Sequence, residues 1–152
     1  MDVKLIDAKP DDLPRLLAWM LDLRRDDPME TAQFVPQVDS ETAMRYLMSD
    51  PSLGRLWSIH ADEIAVGYVA FTFCMSVEFG GGIGFIDELF IEVSHRRKGI
   101  GRRVIDLLQA AARRLDVRAL MLEVSDSNPA AARLYASAGF VARNYQMMVK
   151  KL

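Results

Sequence analysis

The stretch Arg96-Arg97-Lys98-Gly99-Ile100-Gly101-Arg102-Arg103 decides how this chain is read. It sets five cationic residues and two glycines between an apolar, strand-like run, Phe85 to Ile91, and an amphipathic run from Gly99 to Leu115. A helix N-terminus already carries roughly half a positive charge, so cations crowded there oppose the helix dipole unless an anion sits among them. The two glycines let backbone amides approach such an anion, and the first turn of the helix supplies further donors. A polyphosphate ligand accounts for both features; a solvated surface turn is the alternative. Familiar nucleotide fingerprints do not fit, because Val104 stands where a GxGxxG pattern needs glycine and no Gly-Lys-Ser/Thr occurs.

Working outward, the downstream sequence alternates: a strand Ala119 to Val124, a helix Asn128 to Ala138, then a strand Phe140 to Ala142 leading toward Tyr145 to Val149. Upstream, Leu56 to His60 and Ile64 to Phe73 are rich in aromatic and branched residues and flank Ala61, Asp62 and Glu63, which predicts an antiparallel hairpin. Gly80 to Gly84 reads as a flexible hinge or loop leading into Phe85 to Ile91. Val3 to Ile6 is a short strand. From Pro10, the spacing of Leu13, Leu16, Leu17, Met20 and Leu21 predicts a helix with Pro14 in its first turn. Ser40 fits the N-cap of a second helix with Glu41 in its first turn, running to Ser49, and Asp26 to Asp39 is expected to be a loop. One strand, two helices, three strands and then αβαβ describe a mixed α/β (α+β) sheet whose parallel part lies in the second half.

Bulk composition limits the alternatives. A chain of 152 residues, 51% hydrophobic and 26% charged, fits one domain spanning 1–152 that needs no metal or disulfide to fold. The longest apolar stretch, Ala65 to Met75, is too short to span a bilayer, and no secretory signal is visible at the N-terminus. The single cysteine, Cys74, fits a reducing compartment, so the cytoplasm is the expected location, and the residue reads as a buried small hydrophobe instead of a nucleophile. A net charge of −2 argues against a nucleic-acid-binding surface and makes any anion site local.

A second motif runs from Asn128 through Pro129, Ala131, Tyr135 and Gly139 to Phe140. Asn128 suits an N-cap, Pro129 the first helical position and Gly139 the residue past the end. Ala131, Leu134, Tyr135 and Ala138 share one face, so Tyr135 points inward, where a plain core role is the alternative to a chemical one.

Together these residues resemble the GNAT superfamily of acetyltransferases, whose pyrophosphate loop has Arg or Gln, two residues, Gly, one residue, and Gly or Ala. Arg96, Gly99 and Gly101 match that pattern. The family's later motif, Asn, Ala three residues on, Tyr seven on and a Gly-Phe pair beyond, is matched by Asn128, Ala131, Tyr135, Gly139 and Phe140. The resemblance covers roughly residues 85 to 142. It implies a mostly antiparallel sheet with a parallel central pair splayed at the cofactor site, flanked by about four helices. It further implies acetyl-coenzyme A as co-substrate, its pyrophosphate held at Arg96, Arg97, Lys98, Gly99, Ile100, Gly101 and Arg102. By the same resemblance Leu89, Phe90 and Ile91 would bond the pantetheine arm through their backbone, Asn128 would contact it, and Tyr135 would protonate the departing thiolate. A homodimer would accord with the family.

An amine attacking a thioester must lose a proton, because an alkyl amine with a pKa of about 10.4 is almost wholly protonated at neutral pH. Asp87 and Glu88 are adjacent on the strand and, if side chains alternate, face opposite sides. Glu88 is the expected base, directly or through water; Asp87 is the alternate base or binds the charge of the acceptor. His60 and His95 are assigned no chemistry, and no metal is implied. The acceptor amine is unread. By the resemblance the specificity elements would lie in Asp22 to Asp39 and Ser76 to Gly82; Asp22, Asp26, Asp27, Glu30 and Asp39 favour a cationic small molecule, with solvated loop residues as the alternative. A sensor that binds coenzyme A or acyl-coenzyme A without transfer is the rival function; Tyr135 and a strand carboxylate favour the enzyme. A protein-interaction domain on this fold is weakened by the intact loop.

Overall fold

Side-chain alternation along the strands is what organises the computed structural model, which describes residues 1–26 and 35–152. Strands β1 (Val3–Asp7), β2 (Gly54–Ala61), β3 (Ile64–Ser76), β4 (Gly81–Ile91) and β5 (Ala119–Leu122) form one sheet in sequence order. The first four pair antiparallel, and β4 and β5 pair parallel, so the single crossover between β4 and β5 is made by a helix. Asp62 and Glu63 both take positive φ and close the β2–β3 hairpin in two residues.

Helices α1 (Leu13–Asp26) and α2 (Gln37–Ser49) lie on one face of the sheet, where Leu13, Leu16, Trp19, Met20 and Met44 pack on Leu56, Tyr68, Ala70 and Phe90. Helix α3 (Ile100–Arg114) lies on the other, burying Ile100, Val104, Ile105 and Leu108 against Ile59, Val69, Phe71 and Ile86. Helix α4 (Pro129–Ser137) is joined to that second core through Tyr135, Ala138 and Phe140. Among the described residues no helix is long and apolar enough to cross a membrane.

Several expectations are corrected. The glycine run is no hinge: Gly81, Gly82 and Gly84 are strand residues, and a Cβ on Gly84 would lie 2.1 Å from Phe71 Cζ, so the glycine admits a ring packed from β3. Helix α2 begins at Gln37, after Pro36, because Ser40 is engaged by Arg24 and caps nothing. The loop expected over Asp26 to Asp39 is correspondingly shorter, and residues 27–34 lie outside the described residues. Leu21 faces solvent and Trp19 takes its place on the buried stripe. Cys74 is exposed at the end of β3. No strand forms at Phe140 to Ala142 or Tyr145 to Val149; there Arg143 pairs with Glu78 and covers the rings of Phe79 and Tyr145, and propensity without a ladder partner makes no strand.

Candidate active site

Residues 96–102 form an open cradle of amides. Gly99 adopts φ +81° as the residue preceding α3 and offers no side-chain cap, and Arg97 is left-handed too, at φ 64°. The first α-helical bond at this end runs from the Arg103 amide to the Gly99 carbonyl at 3.2 Å. The amides of Arg97 through Arg102 therefore donate to no acceptor among the described residues. Unpaired donors in succession at a helix start are an anion-binding surface. The cationic side chains divide into two sets. Arg96 donates Nε to the Ile91 carbonyl at 2.7 Å and Nη2 to Asp26 at 2.6 Å, with its guanidinium 5.3 Å over the Phe90 ring. Arg102 donates to the Ser137 carbonyl at 2.7 Å and to Asp106. Arg97, Lys98 and Arg103 are exposed and form no ion pair with a described residue, which leaves three cations for a ligand.

The sheet opens beside this cradle. Pairing of β4 with β5 ends at Ile86↔Leu122, whereas β4 runs on to Ile91. Leu89, Phe90 and Ile91 thus keep their ladder to β3 and have no strand on the β5 side. Gly101 sits where the parts converge: a Cβ there would lie 3.0 Å from Leu134 Cδ2 on α4 and 3.7 Å from Ile91 Cδ1 on β4. Its lack of a side chain serves helix packing, whereas Gly99, with open space around it, is needed for its left-handed backbone.

Helix α4 is built as its sequence indicates. Asn128 Oδ1 accepts the Ala131 amide at 3.1 Å, Pro129 occupies the first position, and Gly139 follows at φ 90°. Tyr135 is half-buried against Phe140, ring centroids 5.8 Å apart, and burial pushes its hydroxyl pKa up. Asn128 is exposed, its side chain engaged as a cap.

The carboxylates depart from simple alternation. Ala70 pairs with Glu88 but Phe71 with Ile86, so Asp87 is an extra residue, a β-bulge. Ile86 accordingly packs toward α3 and Phe90 toward α1, and the two carboxylates are not on opposite faces by alternation. Glu88 is half-buried and accepts a hydrogen bond from the Tyr68 hydroxyl at 2.8 Å. Burial pushes the Glu88 carboxyl up; the Tyr68 hydrogen bond opposes this, Asp87 adds to it and the charge of Arg24 opposes it. Loss of water also raises Asp87, although its side chain stays exposed and solvent screening bounds that rise.

Sequence reasoning missed what stands behind Glu88. Tyr68 is fully buried, its hydroxyl held well above the usual tyrosine range by burial, and it stacks with Trp19 at 6.5 Å and 3°. Trp19 in turn donates Nε1 to Glu92 at 2.9 Å. Periodicity marks Tyr68 as a strand residue but carries no sign of a partner twenty positions away. His95, assigned no chemistry from sequence, has its Nδ1 3.3 Å from Glu92 Oε2. Of the acids expected to greet a cationic acceptor, Asp22 pairs with Arg25 and Asp26 with Arg96; Asp27 and Glu30 lie outside the described residues. The described residues contain no group of three or more His, Cys, Asp or Glu placed to hold a metal.

Parallel pairing of β4 with β5 that stops short of the end of β4, next to a cradle of amides opening the following helix, is the arrangement at this end of the sheet. The acetyltransferase (GNAT) family model matches residues 17–140, and the chain belongs to this family. Among solved structures, an integron cassette protein, HFX_CASS3, from the mobile metagenome of Cole Harbour salt marsh is 28% identical, with a TM-score of 0.81 over 97% of this chain and 90% of that one. Ribosomal-protein-alanine N-acetyltransferase from Brucella melitensis biovar Abortus 2308 is similar in fold at 19% identity and TM-score 0.72, covering 99% of this chain and 100% of its own. Aminoglycoside N-acetyltransferase AAC(6')-Iy, solved in complex with CoA, is similar at 15% identity and TM-score 0.75, covering 99% and 95%. No curated protein matches the sequence.

Proposed function

We propose that this protein is an N-acetyltransferase that moves the acetyl group of acetyl-coenzyme A directly to a primary amine, acting as a single cytoplasmic domain. The observation that carries the reading is the run of six amides, Arg97 to Arg102, that have no acceptor among the described residues, beside the end of β4 that β5 does not pair. That donor set fits a pyrophosphate, with Arg97, Lys98 and Arg103 adding charge. The β4 edge that has no β5 partner at Leu89, Phe90 and Ile91 fits the amides of the pantetheine arm, which Asn128 would contact.

Acetyl-coenzyme A supplies the activated thioester. Glu88 removes a proton from the acceptor's ammonium or attacking nitrogen, directly or through one water; its raised pKa makes it a better base than an ordinary carboxylate. A β4 amide polarises the carbonyl on which nitrogen forms its new bond, and as the carbon–sulfur bond breaks Tyr135 gives its proton to sulfur. Burial keeps that tyrosine protonated at neutral pH. Asp87, exposed on the bulge, holds the acceptor's charge or relays its proton.

Titrating acetyl-coenzyme A into the protein, and into a Gly99→Leu/Gly101→Leu variant, while following thiol release with a panel of amines, tests this. Binding lost in the variant together with thiol release supports the transferase. Binding without turnover for any amine replaces it with a sensor, and absence of binding removes both.

A further inference from the structure

The last two turns of α1 carry a cation that the mechanism leaves unused. Arg24 follows Met20, the fully buried core residue, by four positions, so its side chain leaves the helix from the inward face. It is half-buried, and its guanidinium is held by Ser40 Oγ of α2 at 2.7 Å. The neighbouring charges are neutralised: Asp22 by Arg25, Asp26 by Arg96. Arg24 forms no ion pair with any described carboxylate. Of its five donors, one is directed at a neutral hydroxyl, and the others meet no acceptor among the described residues.

Its position relative to the chemistry follows from the packing. Helix α1 crosses the sheet face that carries Tyr68, Glu88 and Phe90, with Trp19 stacked on the same Tyr68 that holds Glu88. Arg24 lies about 7.5 Å further along that helix axis. The charge of Arg24 is felt at both the Glu88 carboxyl and the Tyr68 hydroxyl, although the guanidinium touches neither. A planar donor fork standing off from a base, on the same face of the sheet as Tyr68 and Glu88, is suited to a carboxylate.

We infer that Arg24, tethered by Ser40, binds an anionic group of the acceptor, and that the acceptor is a small amine carrying a carboxylate, not a polyamine. The inference rests on the transferase reading for its catalytic part but has a binding consequence of its own. Glu88 and Asp87 receive the ammonium end while Arg24 receives the carboxylate, so opposite ends of a zwitterion meet opposite charges.

The probes are glycine, β-alanine and γ-aminobutyrate, each against its carboxamide, with putrescine as the dication. Binding to the protein loaded with coenzyme A is measured by calorimetry and, separately, thiol release from acetyl-coenzyme A is followed. At least one carboxylate is expected to bind roughly ten- to a hundredfold more tightly than its amide, as a hydrogen-bonded charge pair gives. In Arg24→Gln that ratio falls to about one, and in Arg24→Lys part of it returns. A ratio near one in the wild-type protein, a ratio unchanged in Arg24→Gln, or putrescine preferred over all three acids overturns the inference. If no amine releases thiol while a carboxylate still binds through Arg24, the transferase reading fails and the anion site stands.

Discussion

Tyr68→Phe isolates the contribution of one hydroxyl to the proposed base. In the wild-type protein the Tyr68 hydroxyl donates to Glu88 at 2.8 Å and favours the ionised carboxylate, partly offsetting the rise that burial causes. Hydrogen bonds to charged groups contribute about 1.5–3 kcal/mol, and 1.36 kcal/mol corresponds to one pKa unit. The upper range would move Glu88 by about two units, but water reaches a half-buried carboxylate and replaces part of what is lost, so about one unit upward is expected. A protonated Glu88 accepts nothing, so kcat/KM falls as pH drops through its pKa. In Tyr68→Phe the acid limb should move to higher pH by about one unit, with the rate on the plateau little changed. The assay is thiol release at saturating acetyl-coenzyme A across pH, with a circular-dichroism melt showing that the variant is folded. An acid limb that stays in place, or a uniform loss at every pH, refutes the idea that Tyr68 sets the basicity of Glu88.

Further outcomes follow from the same geometry. Glu88→Gln keeps an acceptor for Tyr68 and removes a buried charge. Because the folded protein holds the Glu88 proton more tightly than the unfolded chain does, wild-type stability is lost as pH rises through the raised pKa; in urea melts the stability of the variant relative to wild type should rise with pH across that window and stay flat below it. Gly99→Ala forces a Cβ into φ +81° and should cost about 1 kcal/mol without any clash, whereas Gly99→Asn should cost less, as urea midpoints will show. Tyr135→Phe should lower kcat about a hundredfold while calorimetric affinity for acetyl-coenzyme A changes less than twofold.

The parts of this protein written in contiguous residues were legible in sequence. Asn128, Pro129 and Gly139 mark both ends of α4, and the Arg96–Arg103 run marks the start of α3, because capping and dipole effects act over one turn. What sequence hid is set across strands. The bulge at Asp87 exists only in the pairing of β4 with β3, so alternation misplaces the two carboxylates. The glycines of β4 look like a loop until Phe71 is seen lying over Gly84. Ser40, an apt cap by type, is drawn instead to Arg24, and the bonds of Arg96 and Arg102 to the Ile91 and Ser137 carbonyls join residues far apart in sequence or across elements.

The double attachment of Arg96 bears on how each ligand affects the binding of the other. One side chain joins the Ile91 carbonyl, at the end of the open strand, to Asp26 in the final turn of α1. The amide cradle and the helix that presents Arg24 therefore share a mechanical joint. If binding at the loop strengthens this joint, it also steadies the last turn of α1, and reciprocity then requires each ligand to strengthen the other by the same factor. The kinetic signature is synergistic addition of the two substrates, and Asp26→Ala should make their binding independent while leaving both sites in place.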